Sequence, residues 1–109
     1  MNYYNKTKIF IKVLGASQTV GRSCIIVELE NRTVMFDCGE NPGFTDERKY
    51  PSFNLINEII DCVVVSHFHM DHIGALPFFT EVLNYKGVII MSYPSKALSP
   101  VLLLDGCKL

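Results

Sequence analysis

The chain has 109 residues, enough for one small domain or part of a larger one. Hydrophobic residues make up 49% and charged residues 19%, a balance that supports a packed core and excludes a disordered chain. The formal net charge of −1 excludes a strongly basic surface, so any nucleic-acid groove has to come from local clustering or from further sequence.

Residues 1–7 are polar and are expected to fray. Residues 8–14 alternate with β-branched side chains and predict a strand. Lys6, Lys8 and Lys12 interrupt this first apolar stretch, which therefore does not read as a signal peptide. A loop bounded by Gly15 and Gly21 leads to a second predicted strand, 23–29. Glu30, Asn31 and Arg32 form a turn into a third, 33–36, giving a hairpin that Asp37-Cys38-Gly39 ends.

A polar loop follows over 40–51, broken by Pro42, Gly43 and Pro51. Ser52 is expected to cap a short helix through Ile60, because Phe53, Ile56 and Ile60 recur at helical spacing. The apolar run 62–65 predicts a buried strand. Leu76, Phe79 and Leu83 predict a helix over 73–84 with Pro77 in its first turn. Gly87 ends that unit, and 88–91 predicts another strand. Tyr93, Pro94 and Ser95 then open a second helix that continues over 96–109, weakened by Gly106. The chain ends inside this helix, so the domain is expected to continue beyond it. Strands followed by alternating helices and strands point to an α/β sandwich.

No apolar run approaches the roughly 20 residues of a spanning helix, so no membrane is expected among the partners. Cys24, Cys38, Cys62 and Cys107 lack metal-type spacing and read as reduced, small buried hydrophobes.

Residues 63–74 read VVVSHFHMDHIG and contain every histidine of the chain, as His67-x-His69-x-Asp71-His72. Neutral imidazole and carboxylate are standard zinc donors, although iron and manganese accept them too. His67 and His69 are two apart in extended chain, project to one side, and can chelate one metal together. Asp71 and His72 sit where the chain turns into a helix and can reach a second. Two metals roughly 3.5–4 Å apart can clamp a phosphoryl group. A solvated polar turn is the bland alternative; the strand-then-helix context argues against it. Asp37 ends the apolar strand of VMFDCG, where a carboxylate can stand at the rim of a site. A turn-forming Asp ahead of Gly39 fits the spacing equally well.

The His-x-His-x-Asp-His run, with Asp-Cys-Gly upstream, resembles the metallo-β-lactamase superfamily. The segments LGASQTVGRSCIIVELENRTVMFDCG and SHFHMDHIGALPFFTEV resemble its RNA-processing branch, whose members carry an inserted β-CASP domain. GFTDERKYPSFNLI and SKALSPVLLLD are more similar to the Integrator type within that branch than to the cleavage and polyadenylation type. The resemblance runs from about Lys8 to the end. It implies the N-terminal part of an αββα sandwich, incomplete over 1–109, with two zinc ions. It implies that His67 and His69 ligate the first zinc and Asp71 and His72 the second, with Asp37 an orienting carboxylate beside the site. Asp37, Asp71 and His72 are the expected catalytic residues. The implied reaction is hydrolysis of an RNA phosphodiester in the nucleus, in small nuclear RNA 3′-end processing. RNA and the other subunits of such a complex are the implied partners.

Two departures matter. Ser17 and Thr19 stand where relatives carry Gly and an acidic residue. Relatives also supply further ligands, a later His, a bridging Asp and another His, and this chain has no fourth histidine. Asp105 lies too early to be the bridge. A catalytic zinc takes about three protein ligands plus water, so two ions need about five or six where four are present. The 109-residue chain alone is therefore expected to bind metal weakly and not to cut RNA. The competing expectations are a thioester, lactam or tRNA-processing hydrolase of the same superfamily, and a short non-catalytic product or scaffold.

Overall fold

The computed structural model describes residues 8–16 and 21–107. The expectations for residues 1–7 and for Ser17 and Thr19 lie outside them, as does the side chain of Asp105. Among the described residues, five strands form one mixed sheet in the order β1-β2-β3-β4-β5. They are β1 (Ile9–Gly15), β2 (Cys24–Leu29), β3 (Arg32–Phe36), β4 (Cys62–Val64) and β5 (Val88–Ile90). The first three are antiparallel neighbours; β4 and β5 run parallel to β3. Each strand falls within a residue or so of its sequence expectation. The β2–β3 hairpin turns on Glu30 and Asn31, both with positive φ (48° and 67°), the arrangement that matches strand twist in a two-residue turn.

One face of the sheet carries the core. Cys24, Ile26, Met35 and Val63 alternate inward and pack with Ile73, Ala75, Leu76 and Phe79 from the segment after β4. The opposite face is also apolar and, among the described residues, exposed, at Ile9, Ile11, Val13, Leu29, Val88 and Ile90.

The helices differ from expectation. Over 52–60 there is only a 3-10 turn, Phe53–Leu55, and Ile56 is already extended. The Ser52 N–H is held by the Leu14 carbonyl and the Asp61 N–H by the Thr33 carbonyl, so both ends are tied to the sheet and the middle is drawn out. Phe53, Ile56 and Ile60 still pack against the core, so their spacing records burial and not helix.

The expected helix 73–84 is broken. It starts earlier, as α1 (Met70–Ile73), and after a turn continues as a wide π-type turn, Phe78–Val82. Pro77 precedes that turn and has no N–H to give, and Leu83 N–H reaches back five residues to the Phe78 carbonyl. The wide turn directs Phe78 onto Tyr50 while Phe79 faces Tyr85. The last helix, α2 (Tyr93–Cys107), begins where Tyr93-Pro94-Ser95 predicts.

Candidate metal centre

Because β3 and β4 are parallel, with Phe36 opposite Val64, both deliver their following residues to one edge of the sheet. Sites in parallel sheets form at that carboxyl edge. Asp37 leaves β3 there with a left-handed backbone (φ 65°), its N–H donating to the Val64 carbonyl at 2.8 Å. The bend lays residues 38–40 against the histidine segment. Cys38 N–H donates to the His72 carbonyl (2.8 Å), Ala75 N–H to the Cys38 carbonyl (2.9 Å) and Glu40 N–H to the Met70 carbonyl (3.0 Å). Ser23 joins them, its N–H donating to the Asp71 carbonyl at 3.1 Å and its carbonyl accepting from Gly39 N–H at 2.9 Å. Only glycine fits at 39, since a Cβ there would stand 1.6 Å from the Asp71 carbonyl oxygen.

The side chains converge on this edge. His67, His69 and Asp71 each offer a donor atom, all within 4.8 Å of one another. His72 Nε2 lies 3.2 Å from Asp71 Oδ2, and the rings of His67 and His72 are 3.8 Å apart between centroids. Asp71 thus reaches both the His67–His69 pair and His72. The donor chemistry fits a divalent metal. Two imidazoles and a carboxylate are a standard zinc donor set.

Asp37 is buried beside these donors. Its Oδ1 accepts from Ser66 N–H (2.7 Å); its Oδ2 accepts from Ser66 Oγ (2.8 Å) and lies 2.8 Å from His72 Nδ1. It therefore touches His72 and Ser66 and stands outside the three-residue donor group. Ser66 is a further residue here that no motif marks; its place immediately before the first histidine is the available signal. The nearby thiols of Cys24 and Cys38 stand outside the donor group of His67, His69 and Asp71. Burial, reinforced by the Asp37 charge, pushes Cys24 up to about 12. Burial first, then the neighbouring Cys24 and Asp37, raises Cys38 well above its usual range.

The chain belongs to the metallo-beta-lactamase superfamily, whose family model matches residues 18–98. Among individual proteins, it is 52% identical over 99 residues to Cleavage and polyadenylation specificity factor subunit 3-II of Arabidopsis thaliana, covering 85% of this chain and 16% of that one. It is 51% identical over 102 residues to the Integrator complex subunit 11 homolog of Dictyostelium discoideum (88% and 14%). It is 46% identical over 108 residues to Integrator complex subunit 11 of Gallus gallus (94% and 18%). The chain thus spans less than a fifth of the length of these relatives. Human tRNase Z, short form, shares the fold at TM-score 0.53 and 20% identity, over 90% of this chain and 40% of that one.

Proposed function

We propose that these residues are the N-terminal, metal-binding part of a two-zinc RNA endonuclease of the Integrator type. In this reading the whole protein works in the nucleus on small nuclear RNA 3′ ends, with RNA and the other subunits of the complex as partners. The observation that carries it is the convergence of His67, His69 and Asp71 donors within 4.8 Å, with His72 against Asp71. The similarity to subunits named for Integrator and for cleavage and polyadenylation supports the substrate class. Identities of 52% and 51% do not separate the two complexes, so the Integrator assignment leans on the 43–56 and 95–105 segments.

His67 and His69 would hold the first ion, and Asp71 and His72 the second. When bound, such a pair supplies Lewis-acid stabilisation for charge developing on a phosphoryl group and activates water. The chain's own part is to fix the donors. The 38–40 strand end holds the backbone of residues 70–75, and Asp37 orients His72. With four ligands for two ions, the 109-residue chain alone would bind metal weakly and leave RNA uncut.

The test is zinc-dependent cleavage by the whole protein, with single-stranded RNA offered beside thioester and lactam substrates. RNA cleavage is expected, abolished by chelator or by His67→Ala and restored to the wild type by zinc. Cleavage that survives His67→Ala, or turnover of the thioester or lactam alone, overturns the proposal.

A further inference from the structure

Ser66 is exposed, yet its hydroxyl stands among three groups: Asp37 Oδ2 at 2.8 Å, His67 Nδ1 at 3.2 Å and His72 Nδ1 at 3.3 Å. A hydroxyl has one proton to give and two lone pairs with which to accept. A carboxylate only accepts, so the short contact to Asp37 takes the Ser66 proton. Turning that proton toward His67 would leave two bare oxygens facing each other at 2.8 Å. The Ser66 oxygen can then only accept from His67, which requires the proton of that ring to sit on Nδ1. His72 is set the same way but directly, its Nδ1 donating to Asp37 Oδ2 at 2.8 Å. Both rings are left with a free Nε2 lone pair.

We infer that Ser66 is a positioning residue that extends the influence of the Asp37 carboxylate to His67, fixing its Nδ1–H tautomer and presenting Nε2 to a metal. Asp37 thereby orients two histidines, one by direct contact and one through Ser66. Hydrogen bonds of this kind set the tautomer and basicity of metal-binding imidazoles, and losing one typically costs 10–100-fold in metal affinity. The inference rests on the reading of His67 as a metal ligand, but not on RNA as the substrate.

Two measurements on the whole protein test it, comparing wild type, Ser66→Ala and Ser66→Thr. The first is the ring-nitrogen NMR pattern of the metal-free protein. Wild type is expected to show Nδ1–H at both His67 and His72. Ser66→Ala is expected to lose that preference at His67 alone, because the Ser66 N–H bond to Asp37 and the His72 contact remain. Ser66→Thr, which keeps the hydroxyl, is expected to restore it. The second is zinc affinity by chelator competition, expected to fall about 10–100-fold in Ser66→Ala and recover in Ser66→Thr. An unchanged His67 pattern in Ser66→Ala overturns the inference, as does a Ser66→Thr variant that behaves like alanine. A wild type with the expected ring pattern but no zinc binding would overturn the metal reading and leave the tautomer result standing.

Discussion

Asp37 Oδ2 lies 2.8 Å from His72 Nδ1, and Asp37 Oδ1 accepts the Ser66 N–H at 2.7 Å, so one buried carboxylate ties the end of β3 to the histidine segment after β4. Asp37→Asn keeps the side-chain shape and the tolerance for a left-handed backbone. It keeps an acceptor for Ser66 N–H but turns an amide donor toward His72. His72 is then driven to put its proton on Nε2, the atom that would face a metal. Asp37→Asn is expected to weaken zinc binding by roughly 10–100-fold with little change in fold stability. Chelator competition beside urea unfolding checks this; an unchanged affinity would mean that the carboxylate serves the fold alone. Asp37→Ala, which leaves Ser66 N–H without its partner, is expected to cost about 1–3 kcal/mol in addition.

The close approach at Gly39 predicts a graded response. A Cβ there meets backbone, the Asp71 carbonyl oxygen at 1.6 Å, and nothing flexible lies in between. At Gly74 the nearest atom is Glu40 Cγ, at 2.2 Å, which belongs to a side chain and can move, although the Met70 carbonyl follows at 2.6 Å. Overpacking typically costs about 1–3 kcal/mol. Gly39→Ala is expected at or beyond the top of that range and Gly74→Ala below it. Urea denaturation of the two variants checks the order, and equal losses would show that the 38–40 segment shifts freely away from Asp71.

The strands and the grouping of the candidate donors were legible in the sequence for different reasons. The strands declared themselves by β-branched alternation and by glycine and asparagine at the turns, signals local to each segment. His67, His69, Asp71 and His72 declared themselves because few structural roles ask for four such residues together. Asp37 was ambiguous, since its contacts with Ser66 and His72 are 29 and 35 residues away along the chain. The helix at 52–60 was misread because helical spacing of apolar residues also arises when an irregular segment packs on a sheet, whereas the one at 73–84 forms in part, as α1 and the wide turn. Phe53 stacks with Phe78 and Phe79, at 6.0 and 5.4 Å between centroids, from a single 3-10 turn and not from an α-helix. The second helix is interrupted at Gly74 and Ala75, where Ala75 N–H donates to the Cys38 carbonyl at 2.9 Å, a tertiary contact that periodicity does not register.

The buried thiols give a pH prediction. An ordinary thiol titrates at 9.0, whereas burial and the Asp37 charge hold Cys24 protonated up to about 12 in the folded chain. Between these values the unfolded chain releases a proton that the folded chain keeps, so fold stability falls as pH rises. Below pH 9 the contribution is fully present. Stability is expected to decline from about pH 9 upward, and less steeply in Cys24→Ala, as followed by urea midpoints across that range. Alkylation at pH 8 should modify half-buried Cys62 ahead of Cys24 and Cys38. Rapid labelling of Cys24 in folded protein, read by mass spectrometry, would refute the burial argument.

Ile26 and Ile11 lie on neighbouring strands and read alike in the sequence, but they face opposite sides of the sheet. Ile26 is 2% exposed within the core; Ile11 is 67% exposed on the opposite face. Ile26→Ala is expected to cost about 2–5 kcal/mol, because it removes buried methyl groups and leaves a cavity. Ile11→Glu should stay within about 0.5 kcal/mol in the chain as it stands, since it removes no core contact. The same substitution interrupts the apolar row formed with Ile9 and Val13, the type of patch and edge through which chains associate. Wild-type chain is therefore expected to sediment with a concentration-dependent increase in mass, and Ile11→Glu to reduce it. If Ile11→Glu instead unfolds the chain as Ile26→Ala does, both faces of the sheet are buried in solution. The face opposite the core would then be part of the folded unit.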